Sequence, residues 1–132
     1  MTRAHVSSIA LLCLLAACMP TNETSSALPA GKWSVVEASF EIPAGTSPTL
    51  ELAAGRLFAH SGCNRASGPY KDLGAKLETG PLMSTRMSCG GARDRLEADY
   101  YGLLSASPAY RLESGYLTLS AGNARARFKR SE

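Results

Sequence analysis

Cysteine is the residue with the widest chemical range in this sequence of 132 residues, which contains four cysteines and two histidines. Two of the cysteines, Cys13 and Cys18, lie close to the N-terminus, and the other two, Cys63 and Cys89, lie in the middle of the chain. A thiol can attack an electrophile, bind a metal, form a disulfide or accept a lipid, and the segment around it decides which of these applies. The two pairs therefore need separate explanations.

Cys18 ends a segment that has the features of an export signal. A polar start containing Arg3 precedes an apolar run over residues 6–17, which is shorter than the ~20 residues needed to cross a bilayer. The run ends in Leu15-Ala16-Ala17-Cys18, which resembles the lipobox of bacterial lipoproteins. We predict that residues 1–17 are a signal peptide and that Cys18 carries a covalent lipid, with palmitate among its acyl chains. The alternative is an ordinary secretory signal with a chance cysteine.

The residues after Cys18 indicate where the mature protein resides and where its domain begins. Met19 stands where an aspartate would retain an enteric lipoprotein in the inner membrane, so we expect the outer membrane, facing the periplasm. Residues 18–30 are polar and without a helical or strand period, which is typical of a flexible tether. We place a single domain at residues 31–130. Loss of Arg3 leaves 13 basic and 11 acidic side chains, and this net charge of +2 is too small to indicate a nucleic-acid partner.

The predicted domain alternates short β-rich runs with turn signals. Strands are predicted from Trp33 onwards and over residues 48–52, 56–60, 109–112, 116–119 and 124–129. Residues 92–105 show a helical stripe formed by Leu96, Tyr100, Leu103 and Leu104. Such short connections imply an α+β fold, with an antiparallel sheet and one helix packed on it or plugging it.

Residues 82–89 are harder to assign. If they form a strand, Met83, Thr85, Met87 and Cys89 share one of its faces. Cys89 and Cys63 would be exported with the domain into a compartment where disulfides form, so we predict a disulfide between them. A metal site is the first alternative, but the mature chain offers only His60 and the two thiols as soft ligands, and we expect no metal and no cofactor beyond the Cys18 lipid. A reactive thiol pair is the second, and the Cys-x-x-Cys motif is missing.

The candidates for catalysis and ligand contact are few. His60 beside Ser61 does not make a triad, so we predict that the domain is not an enzyme. Asn64, Arg65 and Arg86 are the candidates for polar or anion contact, because Arg65 and Arg86 flank the two cysteines. The alternatives are a structural role for Asn64 at a corner and solvated or acid-paired arginines. A basic run formed by Arg125, Arg127, Lys129 and Arg130 is either the solvent face of a last strand or a contact for anionic headgroups.

Several of these residues together resemble the META domain of HslJ-type heat-inducible lipoproteins. They are the corner Gly62-Cys63-Asn64-Arg65, Gly68 with Tyr70, the segment Thr85-Arg86-Met87-Ser88-Cys89, Trp33, and the strand Tyr116-Leu117-Thr118-Leu119. Ser88 departs from the alanine usual in the family, and the stretch Ala59-His60-Ser61 lacks the expected glycine. The resemblance implies a small curved antiparallel sheet, barrel-like and interrupted by one α-helix, in a cell-envelope protein without established enzyme activity.

We therefore expect a lipid-anchored envelope protein with a non-catalytic META-type domain that supports binding, assembly or the stress response. Its partners would be the membrane, through the lipid anchor, and an envelope protein or lipid. The alternative is a pilot-like carrier that holds a lipid or amphiphile in a cavity of the curved sheet. A filled core with an exposed apolar patch would favour a protein partner, and a continuous apolar cavity would favour the carrier.

Overall fold

The computed structural model describes residues 27–132. The predicted signal peptide, Cys18 and most of the predicted tether lie outside the described residues. Among residues 27–132, no helix is both long and apolar enough to cross a membrane.

Nine strands and one helix make up the described part of the chain. The strands are β1 (Gly31–Ala38), β2 (Thr49–Ala53), β3 (Arg56–His60), β4 (Arg65–Asp72), β5 (Leu77–Thr79), β6 (Met83–Ser84), β7 (Ala109–Glu113), β8 (Tyr116–Ala121) and β9 (Ala124–Ser131). The helix α1 (Gly91–Ser105) separates β6 from β7. The predicted hairpins form where turn residues allow them: Ala54 and Gly55, for example, both have a positive φ between β2 and β3.

The strands form one antiparallel sheet in the order β5-β4-β3-β2-β1-β9-β8-β7, and β6 also pairs with β4. Its two ends meet at a bridge between Lys76 and Ala109. The Leu77 N–H donates to the Pro108 carbonyl at 2.9 Å beside this bridge. The sheet is therefore curled into a nearly closed barrel, and the predicted curved, barrel-like α+β fold is confirmed.

The inside of the sheet is filled with large apolar side chains. The predicted stripe of α1 is buried and packs against β8 and β9. The ring of Tyr100 lies 6.3 Å from that of Phe128, and its hydroxyl donates to the Thr49 carbonyl at 2.8 Å. Twelve large side chains are less than 2% exposed: Trp33, Tyr100, Phe128, Leu50, Leu52, Leu57, Leu77, Leu96, Leu103, Leu104, Leu117 and Leu119. Burial of each such leucine stabilises the fold by about 1.5–3 kcal/mol before entropy is counted.

The segment before β1 is held to the barrel by a buried side chain and by hydrogen bonds. Leu28 is buried in the core, and its N–H donates to the Asp72 carboxylate at 2.7 Å. The Tyr110 hydroxyl donates to the same carboxylate at 2.7 Å. Desolvation raises the pKa of Asp72, but these bonds and one from the Gly74 N–H together outweigh it and lower the pKa. Two residues after Leu28, the Ala30 carbonyl accepts a hydrogen bond from the Arg130 guanidinium at 2.8 Å.

The segment before the helix differs from the sequence-based expectation. Only Met83 and Ser84 pair with β4, and the four-residue strand face expected over residues 82–89 does not form. The neighbouring residues lie against β4 because Gly68 has no side chain there: a Cβ at this position would lie 2.6 Å from the Pro81 carbonyl oxygen. Beyond Ser84, the Thr85 N–H still donates to the Arg65 carbonyl of β4 at 3.0 Å, whereas the backbone of Met87 bonds to the side chain of Asn64.

Candidate functional site

The corner that follows β3 is tied to the segment before α1 by sulfur. Cys63 and Cys89 form a disulfide, with a Cα–Cα distance of 6.1 Å and a sequence separation of 26 residues. At the same junction, the Asp94 carboxylate accepts hydrogen bonds from the Cys89 N–H at 3.0 Å and from the Ser88 hydroxyl at 3.1 Å. The negative charge near the start of α1 also suits the helix dipole. The disulfide therefore ties the segment before α1 to the corner, and the charge-assisted hydrogen bonds to Asp94 tie that segment to the first turn of the helix.

Asn64 is the centre of this corner and is 1% exposed. Its amide NH₂ donates to the Met87 carbonyl at 2.8 Å and to the Glu97 carboxylate at 2.7 Å. Its amide oxygen accepts hydrogen bonds from the Thr85 hydroxyl at 2.9 Å and the Met87 N–H at 2.8 Å. All four hydrogen-bonding positions of the side chain are used. Asn64 thus takes the place of a strand partner for the backbone of Met87, and its side chain has no capacity left for a ligand.

The backbone carbonyl of Asn64 is equally well satisfied. It accepts hydrogen bonds from the Ser61 N–H at 3.0 Å and from the hydroxyl of Tyr101 on α1. Burial, together with the nearby Glu97 carboxylate, raises the pKa of Tyr101, so the hydroxyl keeps the proton that it donates. The corner is a closed polar network between the sheet, the segment before the helix, and α1.

The chemistry that this corner can perform is limited. Cys89 is bonded to Cys63, so neither offers a free thiolate. His60 accepts a hydrogen bond from the Gly62 N–H at 2.9 Å through Nδ1, which leaves only Nε2 for another partner. Within residues 27–132, no group of three or more His, Cys, Asp or Glu side chains is arranged to hold a metal ion.

The structure does not bring the two candidate arginines into one site. Arg65 lies on the outer face of β4, whereas Arg86 lines a groove between residues 84–88 and α1. Among residues 27–132, the ion pairs use Arg95, Arg125 and Arg127, so neither Arg65 nor Arg86 belongs to one. Each guanidinium is exposed and has its charge available.

The outer face of β2, β3, β4 and β6 carries a groove of about 640 Å³, here called the outer groove. Its floor and walls include Phe58, which is 44% exposed, and Met83, which is 79% exposed. Phe58 pairs with Ser67, and Ser67 pairs with Met83, so the three residues form one row across the strands. In the next row, His60 pairs with Arg65. The outer groove therefore places two apolar side chains beside a cation.

Sequence reasoning missed the apolar row of the outer groove. In β3, Leu57 and Ala59 on either side of Phe58 are buried, so the two-residue period of a strand puts Phe58 on the exposed face. No local signal indicates Met83, because its position follows from the pairing of β6 with β4. The predicted polar candidates and this groove overlap only at Arg65.

Three members of the basic run, Arg125, Arg127 and Lys129, lie on the outer face of β9, whereas Arg130 lies over the buried ring of Trp33, 5.4 Å from its centre. Arg125 and Arg127 both contact the Glu37 carboxylate, at 3.1 and 3.9 Å, and the Arg127 guanidinium lies 3.9 Å from the centre of the Tyr116 ring. Part of this positive charge is therefore balanced locally. None of the twelve large buried side chains of the core lines the outer groove, the groove at Arg86 or the surface beside Arg125 and Arg127.

A nearly closed antiparallel sheet, a single helix and a disulfide-bonded corner define a small α+β domain of the barrel-like type. An NMR structure of a protein from Burkholderia xenovorans has this fold: it is 24% identical, with a TM-score of 0.67, and the match covers 98% of this chain and 99% of that chain. A second NMR structure is 19% identical, with a TM-score of 0.62, covering 76% of this chain and 88% of that one. These likenesses establish the fold alone.

The model of the META domain family matches residues 26–132, so this chain belongs to the META domain family. The resemblance seen in the sequence is thereby confirmed. No curated protein matches the chain. The family is not known as catalytic.

Proposed function

We propose that the chain is a lipid-anchored envelope protein whose META domain binds a partner and performs no catalysis. The observation that carries this proposal is the distribution of apolar surface. The inside of the sheet is filled, whereas Phe58 and Met83 are exposed together on the outer groove beside Arg65. Clustered exposed apolar side chains next to a free charge are typical of a binding surface.

The proposed anchor is the lipid on Cys18, which would hold the domain at the outer membrane on its periplasmic side. Leu28, where the chain enters the core, follows Cys18 by ten positions. An extended chain spans at most about 3.3–3.6 Å per residue, so Leu28 would stay within about 36 Å of the anchor. The disulfide between Cys63 and Cys89 fits an oxidising compartment of this kind.

The absence of catalysis is supported by the way the reactive groups are used. A catalytic nucleophile needs a free reactive group with an adjacent base, whereas the sulfurs of Cys63 and Cys89 are joined in a disulfide. His60 has one ring nitrogen occupied by a backbone N–H, and the Asn64 side chain has no free donor or acceptor. The outer groove offers apolar surface and positive charge, and these suit the binding of a partner.

The anchor is tested by mass spectrometry of the mature protein from membranes. We expect a mature N-terminus at Cys18 that carries acyl chains, and a Cys18→Ala variant that keeps its signal peptide and lacks the lipid. A wild-type protein that is recovered from the cytosol uncleaved, with free thiols at Cys63 and Cys89, would contradict the proposal.

The binding role is tested by photocrosslinking in living cells. A benzoylphenylalanine at position 58 samples the outer groove, and the same group at Val36 is the matched control, because Val36 is 51% exposed and does not line that groove. Discrete crosslinked species from position 58 that are missing from position 36 support the proposal. A native mass spectrum with a retained lipid, and no crosslinks specific to position 58, would instead favour the carrier of a lipid or amphiphile.

A further inference from the structure

We propose that the outer groove binds an extended polypeptide segment that carries an apolar side chain and, two residues further along, an acidic side chain. This inference rests on the proposed binding function and names the class of partner. It follows from the register of β3, β4 and β6, which places one apolar row and one cationic row on the same exposed face.

The apolar row forms a slot of defined width. Phe58 and Met83 lie on strands that flank β4, and Ser67 on β4 lies between them. Neighbouring strands are about 4.8 Å apart, so the backbones at Phe58 and Met83 are about 10 Å apart. The small Ser67 side chain leaves the middle of the slot open. Because side chains on adjacent strands lie about 4.8 Å apart, the space above Ser67 has the width of one strand, which is room for one aliphatic side chain.

The cationic row lies one step along the same strands. Arg65 precedes Ser67 by two residues on β4, and His60 follows Phe58 by two residues on β3. In a strand, residues two apart lie on one face at about 6.7 Å, twice the rise per residue. Arg65 belongs to none of the ion pairs among residues 27–132, and a neutral His60 whose Nδ1 accepts the Gly62 N–H carries its proton on Nε2. Both side chains can therefore donate to a carboxylate.

The spacing of the two rows matches the spacing of a partner in extended conformation. An extended peptide also places side chains i and i+2 on one face at about 6.7 Å, so one aliphatic and one acidic side chain reach the slot and Arg65 together. Glu51 borders Phe58 on the side away from Ser67 and lines the same groove. Its negative charge disfavours an acidic side chain there, which leaves the Arg65 row as the position for the carboxylate.

The test uses three acetylated and amidated heptapeptides with the mature chain bearing Cys18→Ser, so that no lipid contributes. The first peptide, Ser-Thr-Leu-Thr-Asp-Thr-Ser, has the proposed spacing; the second has Asn for Asp, and the third has Asp directly after Leu. Binding is followed by the shifts of backbone amide resonances in a ¹⁵N-labelled protein. We expect shifts at Phe58, Ser67 and Met83, and a Kd for the first peptide about threefold lower than for the others, as for one exposed ion pair.

Three variants separate the contributions of the groove. Arg65→Gln should remove the preference for the first peptide, and Phe58→Ser should weaken the binding of all three. Arg111→Gln is the matched control, because Arg111 is an exposed arginine on the outer face of β7, outside the outer groove, and it should leave the preference unchanged. Amide spectra that otherwise coincide with the wild type establish that each variant is folded.

Equal affinity for the three peptides, or shifts confined to residues outside the outer groove, would overturn the peptide assignment. Laurate, which also joins an apolar group to a carboxylate, is the competing ligand: displacement of the first peptide by equimolar laurate would assign the groove to an amphiphile instead. If the peptides fail while crosslinks specific to position 58 persist in cells, this inference falls and the proposed binding function stands.

Discussion

The replacement Asn64→Asp tests the polar network at the corner, because it keeps the size of the side chain and exchanges its NH₂ for an oxygen. In the wild type this NH₂ lies 2.8 Å from the Met87 carbonyl oxygen and 2.7 Å from the Glu97 carboxylate. In the variant, an oxygen faces both acceptors. The two bonds to the other amide atom, from Thr85 and Met87, are unaffected by the exchange.

The size of the effect follows from the burial of the site. Asn64 is 1% exposed, and a polar group that is left there without a partner costs about 1–3 kcal/mol, or more when it is charged. Repulsion between the new carboxylate and Glu97 adds to this cost, so we expect a loss of about 3–5 kcal/mol at pH 7. The total free energy of unfolding of a domain is usually about 5–15 kcal/mol, so the variant would lose a large share of its stability.

Urea unfolding followed by tryptophan fluorescence measures this loss, because Trp33 is the only tryptophan in the sequence and is buried. With a denaturant slope of about 1–3 kcal/mol per molar urea, the midpoint should fall by about 2 M. Asn123→Asp is the control: it makes the same exchange in the exposed β8–β9 turn and should change stability by less than about 0.5 kcal/mol.

Two further measurements can refute the reasoning. Burial and Glu97 should raise the pKa of the carboxyl group introduced at position 64 in the folded state above its unfolded value. The folded variant then binds a proton more readily than the unfolded chain, so its loss of unfolding free energy relative to the wild type should shrink as pH falls from 7 to 4. Adding Glu97→Gln supplies a donor to the introduced carboxylate and should recover at least about 1 kcal/mol in the double variant. A loss equal to that of Asn123→Asp, or a double variant no more stable than the single one, would show that the network does not hold the corner.

Three more predictions concern the elements that close the fold. Replacing Cys63 and Cys89 by serine should lower the free energy of unfolding by about 3.5 kcal/mol, the chain-entropy value for a separation of 26 residues, and dithiothreitol should not shift the urea midpoint of that variant further. Because folding lowers the pKa of Asp72, its contribution to the free energy of unfolding is complete above the unfolded pKa of 3.8 and is lost as pH falls through the folded pKa. Asp72→Asn should reduce this loss of stability at acid pH, as measured by urea titrations at stepped pH. Leu28→Ala should cost about 2 kcal/mol by thermal unfolding, whereas Leu73→Ala, at a position 56% exposed, should cost far less.

Much of the fold could be predicted because its signals are local. The helix expected over residues 92–105 is observed at Gly91–Ser105, with the predicted stripe buried. The alternation of residues 124–129 likewise places Ala126 and Phe128 in the core, with Arg125 and Arg127 on the outer face of β9. Periodicity of 2.0 or 3.6 residues and turn-forming residues are properties of short segments, so the sequence expresses them directly.

The segment before the helix could not be predicted in this way. Its alternating Met83, Thr85 and Met87 suggested a strand, but strand pairing stops after Ser84. The side chain of Asn64, more than twenty residues away in the chain, takes over the backbone of Met87. A neighbouring strand and the distant Asn64 amide compete for the backbone hydrogen bonds of this segment. Which of them binds depends on how close each lies in the folded structure, and the local sequence does not contain that information.

The sequence by itself determined the family, the helix, the hairpins and the two cysteines to be joined, because each depends on residue types at short range or on a motif. Only the tertiary structure decided which exposed side chains share a surface. Phe58, Ser67 and Met83 come together through the pairing of three strands, and the same pairing places Arg65 beside them while Arg86 lies in another groove. The physical reason is that a binding surface on a sheet is set by register between strands, and register depends on contacts between segments that are far apart in the chain.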